Sequence, residues 1–131
     1  MPAFYRSLNV FVLSSLFEMM PIAVLEAMAS GLPLLVNRHP VLEWIIGSGG
    51  EAIDMASSEA LAGALSRVDR TWIVEHGRQA RERAIAIFSK AVVVDAYVQY
   101  YRRVKGDASR ESAGAGCRGV ATVDKRVDMV T

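Results

Sequence analysis

Glu18 and Glu26 bracket a short apolar run in Phe17-Glu18-Met19-Met20-Pro21-Ile22-Ala23-Val24-Leu25-Glu26-Ala27-Met28-Ala29-Ser30-Gly31-Leu32-Pro33. The run reads as a helix over residues 21–30. Pro21 suits its first turn, where the missing N–H would be unpaired anyway. Gly31 and Pro33 suit its stop. Glu18 then lies in the loop ahead of the helix, and Glu26 in its second turn. The free N–H groups of a helix start, together with the helix dipole, attract anions such as phosphate. Ionised carboxylates accept strongly from vicinal hydroxyls. Two acids around a phosphate-binding helix end suit a sugar nucleotide. The spacing alone is weak, because carboxylates on helices are usually solvated. The strongly apolar neighbours argue against a solvated face here.

These acids need a frame. Residues 8–13, Leu-Asn-Val-Phe-Val-Leu, read as a short buried strand, and Leu34-Leu35-Val36 begins a second one after the Gly-Leu-Pro turn. Strand, helix and strand with tight connections imply a right-handed parallel βαβ unit. Both glutamates then sit at the C-terminal edge of a parallel strand, where ligands bind in open α/β sheets. His39 to Ile46 reads as one or two helical turns ended by Gly47-Ser48-Gly49-Gly50, and Glu51 to Met55 as a third strand. Ser57 or Ser58 can cap a helix from Glu59 to Val68. Longer helices follow over Thr71 to Phe88 and, capped by Ser89, over Lys90 to Val104. The last carries Val93, Tyr97, Tyr100 and Val104 at helical spacing, an apolar side. From Gly106 the composition turns to Ser, Gly, Ala and scattered charge. The expected organisation is therefore a domain over 1–105 and a disordered tail over 106–131.

Bulk properties exclude several classes. A chain of 131 residues fits one domain with a real core. The 52% hydrophobic content and mean hydropathy of +0.24 suit strands covered on both faces. No apolar stretch reaches the ~20 residues needed for a transmembrane segment, and Met1 to Arg6 lacks the shape of a signal peptide. A net charge of +1 offers no footing for nucleic acid. The single cysteine, Cys117, rules out an internal disulfide and makes a reducing, cytoplasmic setting the default, either free or at the membrane face. No Cys/His cluster suits zinc, and no Asp-x-Asp is present.

The run from Met1 to Ser15, then Glu18 through Glu26, then Ala27-Met28-Ala29-Ser30-Gly31-Leu32-Pro33 resembles the C-terminal, donor-binding domain of GT-B glycosyltransferases. The nearest likeness is to the retaining group 1, or family 4, enzymes. It extends through Ser58 to Leu65, Gly77 to Ala84 and Phe88 to Val104. The resemblance implies an α/β, Rossmann-like half-domain with a short parallel sheet flanked by helices. It implies transfer of a hexosyl group from a nucleotide-diphosphate sugar to an acceptor hydroxyl (glycan, lipid or small molecule) with retention, and no metal or other cofactor. Glu18, as the catalytic-site residue, would hold a hydroxyl of the donor sugar. The backbone around Met19, Met20, Pro21 and Ile22 would face sugar and diphosphate, and Glu26 would accept from the ribose.

Departures accompany the likeness. Met19 stands where the family usually has Gly, and Arg38-His39-Pro40 replaces two glycines after the next strand. The acceptor-binding N-terminal half is not in the chain, nor are the Arg and Lys that normally meet the diphosphate. The isolated chain is therefore expected to transfer no sugar. Arg38 is read as a solvated strand-end residue rather than a substitute cation. His39 is read as structural rather than a donor ligand, Glu43 as a brace for its short helix, His76 as a surface residue, and Trp44 and Trp72 as packing residues. The alternative function is a non-catalytic nucleotide-sugar-binding or interaction module that retains only the fold. A sugar-phosphate phosphorylase or nucleotide-sugar epimerase ranks behind both.

Overall fold

The computed structural model describes residues 2–114. Its element order is α1 (Pro2–Arg6), β1 (Phe11–Leu13), α2 (Ile22–Ala29), β2 (Leu34–Asn37), α3 (Pro40–Ile46), β3 (Gly50–Ile53), α4 (Ser58–Ser66), α5 (Arg70–Phe88) and α6 (Lys90–Gly114). The three strands form one parallel sheet in the order β1-β2-β3, the open α/β arrangement expected. In register, Val12 faces Leu35 on one side of β2, and Leu35 faces Glu51 on the other.

Central β2 is buried along its whole length. Side chains alternate across a strand, so Leu34 and Val36 join one apolar cluster and Leu35 joins another. The first is the larger: Val24, Ala27 and Met28 of α2, Leu42, Ile45 and Ile46 of α3, and Ala80 and Ala84 of α5 close over it. The second gathers Ile53, Ala64, Leu61 and Trp72. Two covered faces account for the near-continuous apolar run of β2.

Local signals set most helix ends. The Ser57 hydroxyl accepts from the Ala60 N–H at 3.1 Å to start α4. Asp69 accepts from the Trp72 N–H at 2.7 Å to start α5. Gly31, with φ +81°, turns the chain out of α2. Pro21 lies one place outside α2, as its N-cap, a shift within the usual scatter of helix boundaries. β1 is shorter than the run 8–13 that seeds it, and α1 was not anticipated. Ser7 and Leu8 N–H groups bonding back to Phe4 and Tyr5 close it.

Among the described residues, those up to Val94 form one compact unit, and those from Asp95 to Gly114 belong to a second. In the second, α6 runs past the expected end at Val104 to Gly114. Of the tail read over 106–131, residues 115–131 lie outside the described residues. Tyr97 stacks on Tyr101 one turn later, with centroids 6.4 Å apart. Tyr97, Tyr100 and Val104 are exposed, as an apolar side without a partner in its own unit would be. Among the described residues no helix is long and apolar enough to cross a membrane.

Candidate functional site at the start of α2

The loop from Ser14 to Pro21 joins the C-terminal end of β1 to α2. Asn37, the last residue of β2, holds it. Asn37 is 8% exposed, and its Nδ2 donates to the Leu16 carbonyl at 3.1 Å. Its Oδ1 accepts from the Met55 N–H at 3.2 Å. One amide therefore ties the Glu18 loop to the turn after β3 and uses both of its functions. The Phe17 ring meets His39 edge-on at 5.6 Å.

Pro21 is buried and leads directly into α2, and no side chain caps that helix start. The first-turn N–H groups are therefore not claimed by a capping side chain. Glu18 is half-buried, and among the described residues its carboxylate makes no hydrogen bond or ion pair. Around it the loop exposes Leu16, Phe17, Met19 and Met20, and the first residue of α2, Ile22, is 69% exposed. Five exposed apolar side chains make the rim of this edge apolar, with a carboxylate set into it.

Glu26 lies in the second turn of α2, as expected, and is exposed. Its Oε2 accepts from the Tyr5 hydroxyl at 2.8 Å. This partner was missed because α1 gives no periodic signal in so short a segment. The bond donated to Glu26 pushes the Tyr5 phenol above its ordinary range, with burial and the carboxylate's charge adding to it. A raised folded-state value means that the contribution to stability is complete below about pH 10, the unfolded value, and is lost as the pH climbs through the folded one. Denaturant unfolding followed from neutral to alkaline pH is expected to show a steeper loss for wild type than for Tyr5→Phe. Equal alkaline slopes would refute it.

The remaining candidates fall elsewhere. His39 caps α3: its Nδ1 accepts from the Val41 N–H at 3.3 Å, so its role is structural. Glu43, read as a brace for α3, makes no side-chain hydrogen bond among the described residues; His39 caps that helix. Arg38 is exposed and makes no ion pair among the described residues. It lines an open hollow of about 390 Å³ against α3 and β3 with Glu43 and Gly47. Trp44 is exposed and packs its ring edge-on with Phe88 at 5.6 Å. His76 is half-buried and stacked on Trp72 at 4.4 Å, not a free surface residue as its charged neighbours suggested. Among the described residues no group of three or more His, Cys, Asp or Glu is placed to hold a metal.

Comparison with known proteins bears on this geometry. The family model for glycosyl transferases group 1 matches residues 1–69, more than half of the chain. The lipopolysaccharide core biosynthesis glycosyltransferase LpsE of Rhizobium meliloti (strain 1021) is 30% identical over 103 residues, covering 73% of this chain and 29% of LpsE. The structure of a sucrose-phosphate synthase from Thermosynechococcus elongatus matches with a TM-score of 0.73 and 28% identity, over 79% of this chain and 27% of that one. The chain thus spans under a third of either relative. With a parallel open sheet, an acid-flanked helix start at its C-terminal edge and a family match across both, the chain belongs to the group 1 glycosyl transferases.

Proposed function

We propose that the start of α2 is the donor subsite of a retaining, family 4-type hexosyltransferase. Glu18 takes a hydroxyl of the donor sugar, and Glu26 takes the ribose hydroxyls. The N–H groups around Met19, Met20 and Ile22 face the sugar and diphosphate, with the helix dipole behind them. Transfer breaks the bond between the anomeric carbon and the diphosphate oxygen and forms one to the acceptor oxygen. The nucleoside diphosphate and a proton are released. The helix start supplies part of the charge stabilisation that diphosphate departure needs. The acceptor site belongs to a second Rossmann-like half, and the 131-residue chain by itself binds donor without transferring sugar. Met19, in the glycine position of the family, is 67% exposed, so its side chain is free to swing away from an incoming sugar.

The observation that supports this reading is the unpaired Glu18 carboxylate beside a helix start without a side-chain cap. Calorimetric titration of the chain with UDP, GDP, ADP and their hexose conjugates tests it. One nucleotide series is expected to bind. Glu26→Ala is expected to weaken it roughly a hundredfold, the worth of two charge-assisted hydrogen bonds at about 1.5 kcal/mol each. Glu18→Ala is expected to weaken only the sugar conjugate. Binding by none of these ligands would remove the reading and leave the interaction module, which the exposed aromatic side of α6 favours.

A further inference from the structure

We infer that Tyr5 is a positioning residue for Glu26, holding one carboxylate oxygen so that the other is presented to ligand hydroxyls; this rests on the donor-site reading above. Glu26 is an exposed, flexible side chain, and a free glutamate loses rotamer freedom when a ligand orders it. Tyr5 has none of that freedom. It is 6% exposed, and its ring meets Phe4 edge-on at 5.7 Å and Phe11 at 6.2 Å. Its hydroxyl donates to Glu26 Oε2 at 2.8 Å across 21 residues of sequence, an ordinary length for a hydroxyl hydrogen bond. The bond leaves Oε1, and the second lone pair of Oε2, for a vicinal diol. The carboxylate is thereby oriented before ligand arrives. α1 is only five residues long, and its Tyr5 is hydrogen-bonded to Glu26.

The test is a double-mutant cycle on the 131-residue chain, with Tyr5→Phe, Glu26→Ala and both together. UDP, GDP and ADP are the probes. Thermal melts establish that each variant is folded at the titration temperature. Tyr5→Phe keeps the ring packing and is expected to weaken the nucleotide that wild type binds by about fivefold. In the Glu26→Ala background the same substitution is expected to change nothing, because the group it orients is gone. Wild-type affinity in Tyr5→Phe would overturn the inference and leave the donor site standing. The same fold-loss in both backgrounds would also overturn it, since Tyr5 would then act through the fold and not through Glu26. Failure of wild type to bind any of the three nucleotides would remove the donor reading, and this inference with it.

Discussion

Gly77→Ala is expected to cost about 2–3 kcal/mol of folding stability, although alanine is the better helix former. A methyl group at Gly77 would stand 2.3 Å from the Gly31 carbonyl oxygen and 3.5 Å from Pro33 Cδ. The first contact is with backbone, so no rotamer change relieves it. Gly31 is itself held at φ +81° in the turn that ends α2, and moving it disturbs the entry into β2. The α5 helix must therefore back away from α2, loosening the apolar cluster over β2. Gly63→Ala, in α4, is the matched control. Its methyl group would meet only Arg67 Nη1, at 3.8 Å, an ordinary contact. It is expected to gain about 0.5–1 kcal/mol from helix propensity alone. Urea denaturation of both variants checks the pair, and a Gly77→Ala chain as stable as wild type would refute the close-approach account. Because α2 carries Glu26, Gly77→Ala is also expected to weaken nucleotide binding in whatever fraction stays folded.

Asn37→Ala is expected to cost about 2 kcal/mol. The substitution strands the Leu16 carbonyl and the Met55 N–H, each part-buried and each paired only to this side chain among the described residues. Leaving a buried partner unsatisfied costs about 1–3 kcal/mol; both groups here are part-buried and Leu16 is 60% exposed, so water recovers some of that, and losing two bonds comes to about 2 kcal/mol. Asn37→Asp keeps an acceptor for Met55 but sets a carboxylate oxygen against the Leu16 carbonyl, so it is expected to be no better at neutral pH. Acid should recover part of the loss, because a protonated carboxyl can donate to Leu16. Since Leu16 belongs to the loop that carries Glu18, the Ala variant is also expected to lose affinity for a nucleotide sugar more than for the bare nucleotide. Denaturant titration at two pH values reads the first effect, and calorimetry the second. A loss below about 0.5 kcal/mol, the scatter of ordinary surface substitutions, would show that the clamp carries no load.

Much of the frame was legible because its signals are local. The Gly31 turn and Pro33 bracket one end of α2, and Pro21 the other. The uninterrupted Leu34-Leu35-Val36 run demanded a strand covered on both faces, and received one. Ser57 capped its helix as a serine before an acidic first turn should. The glutamate pair, the helix start and their place at the C-terminal edge of the sheet all followed from punctuation within a few residues. His76 was misplaced because its charged neighbours on α5 outweighed Trp72, which lies one helical turn earlier and stacks on the imidazole.

Residue type and order alone therefore decided the elements from β1 to α5, though not every boundary, their parallel arrangement and the neighbourhood of Glu18 and Glu26. Tertiary structure decided who holds those groups in place. Tyr5 reaches Glu26 across 21 residues, and Asn37 reaches Leu16 across 21 and Met55 across 18. Such bonds have no period and no local motif. They exist because packing two apolar faces onto β2 brings remote backbone and side chains within 3.2 Å of one another, where an unpaired polar group would be costly.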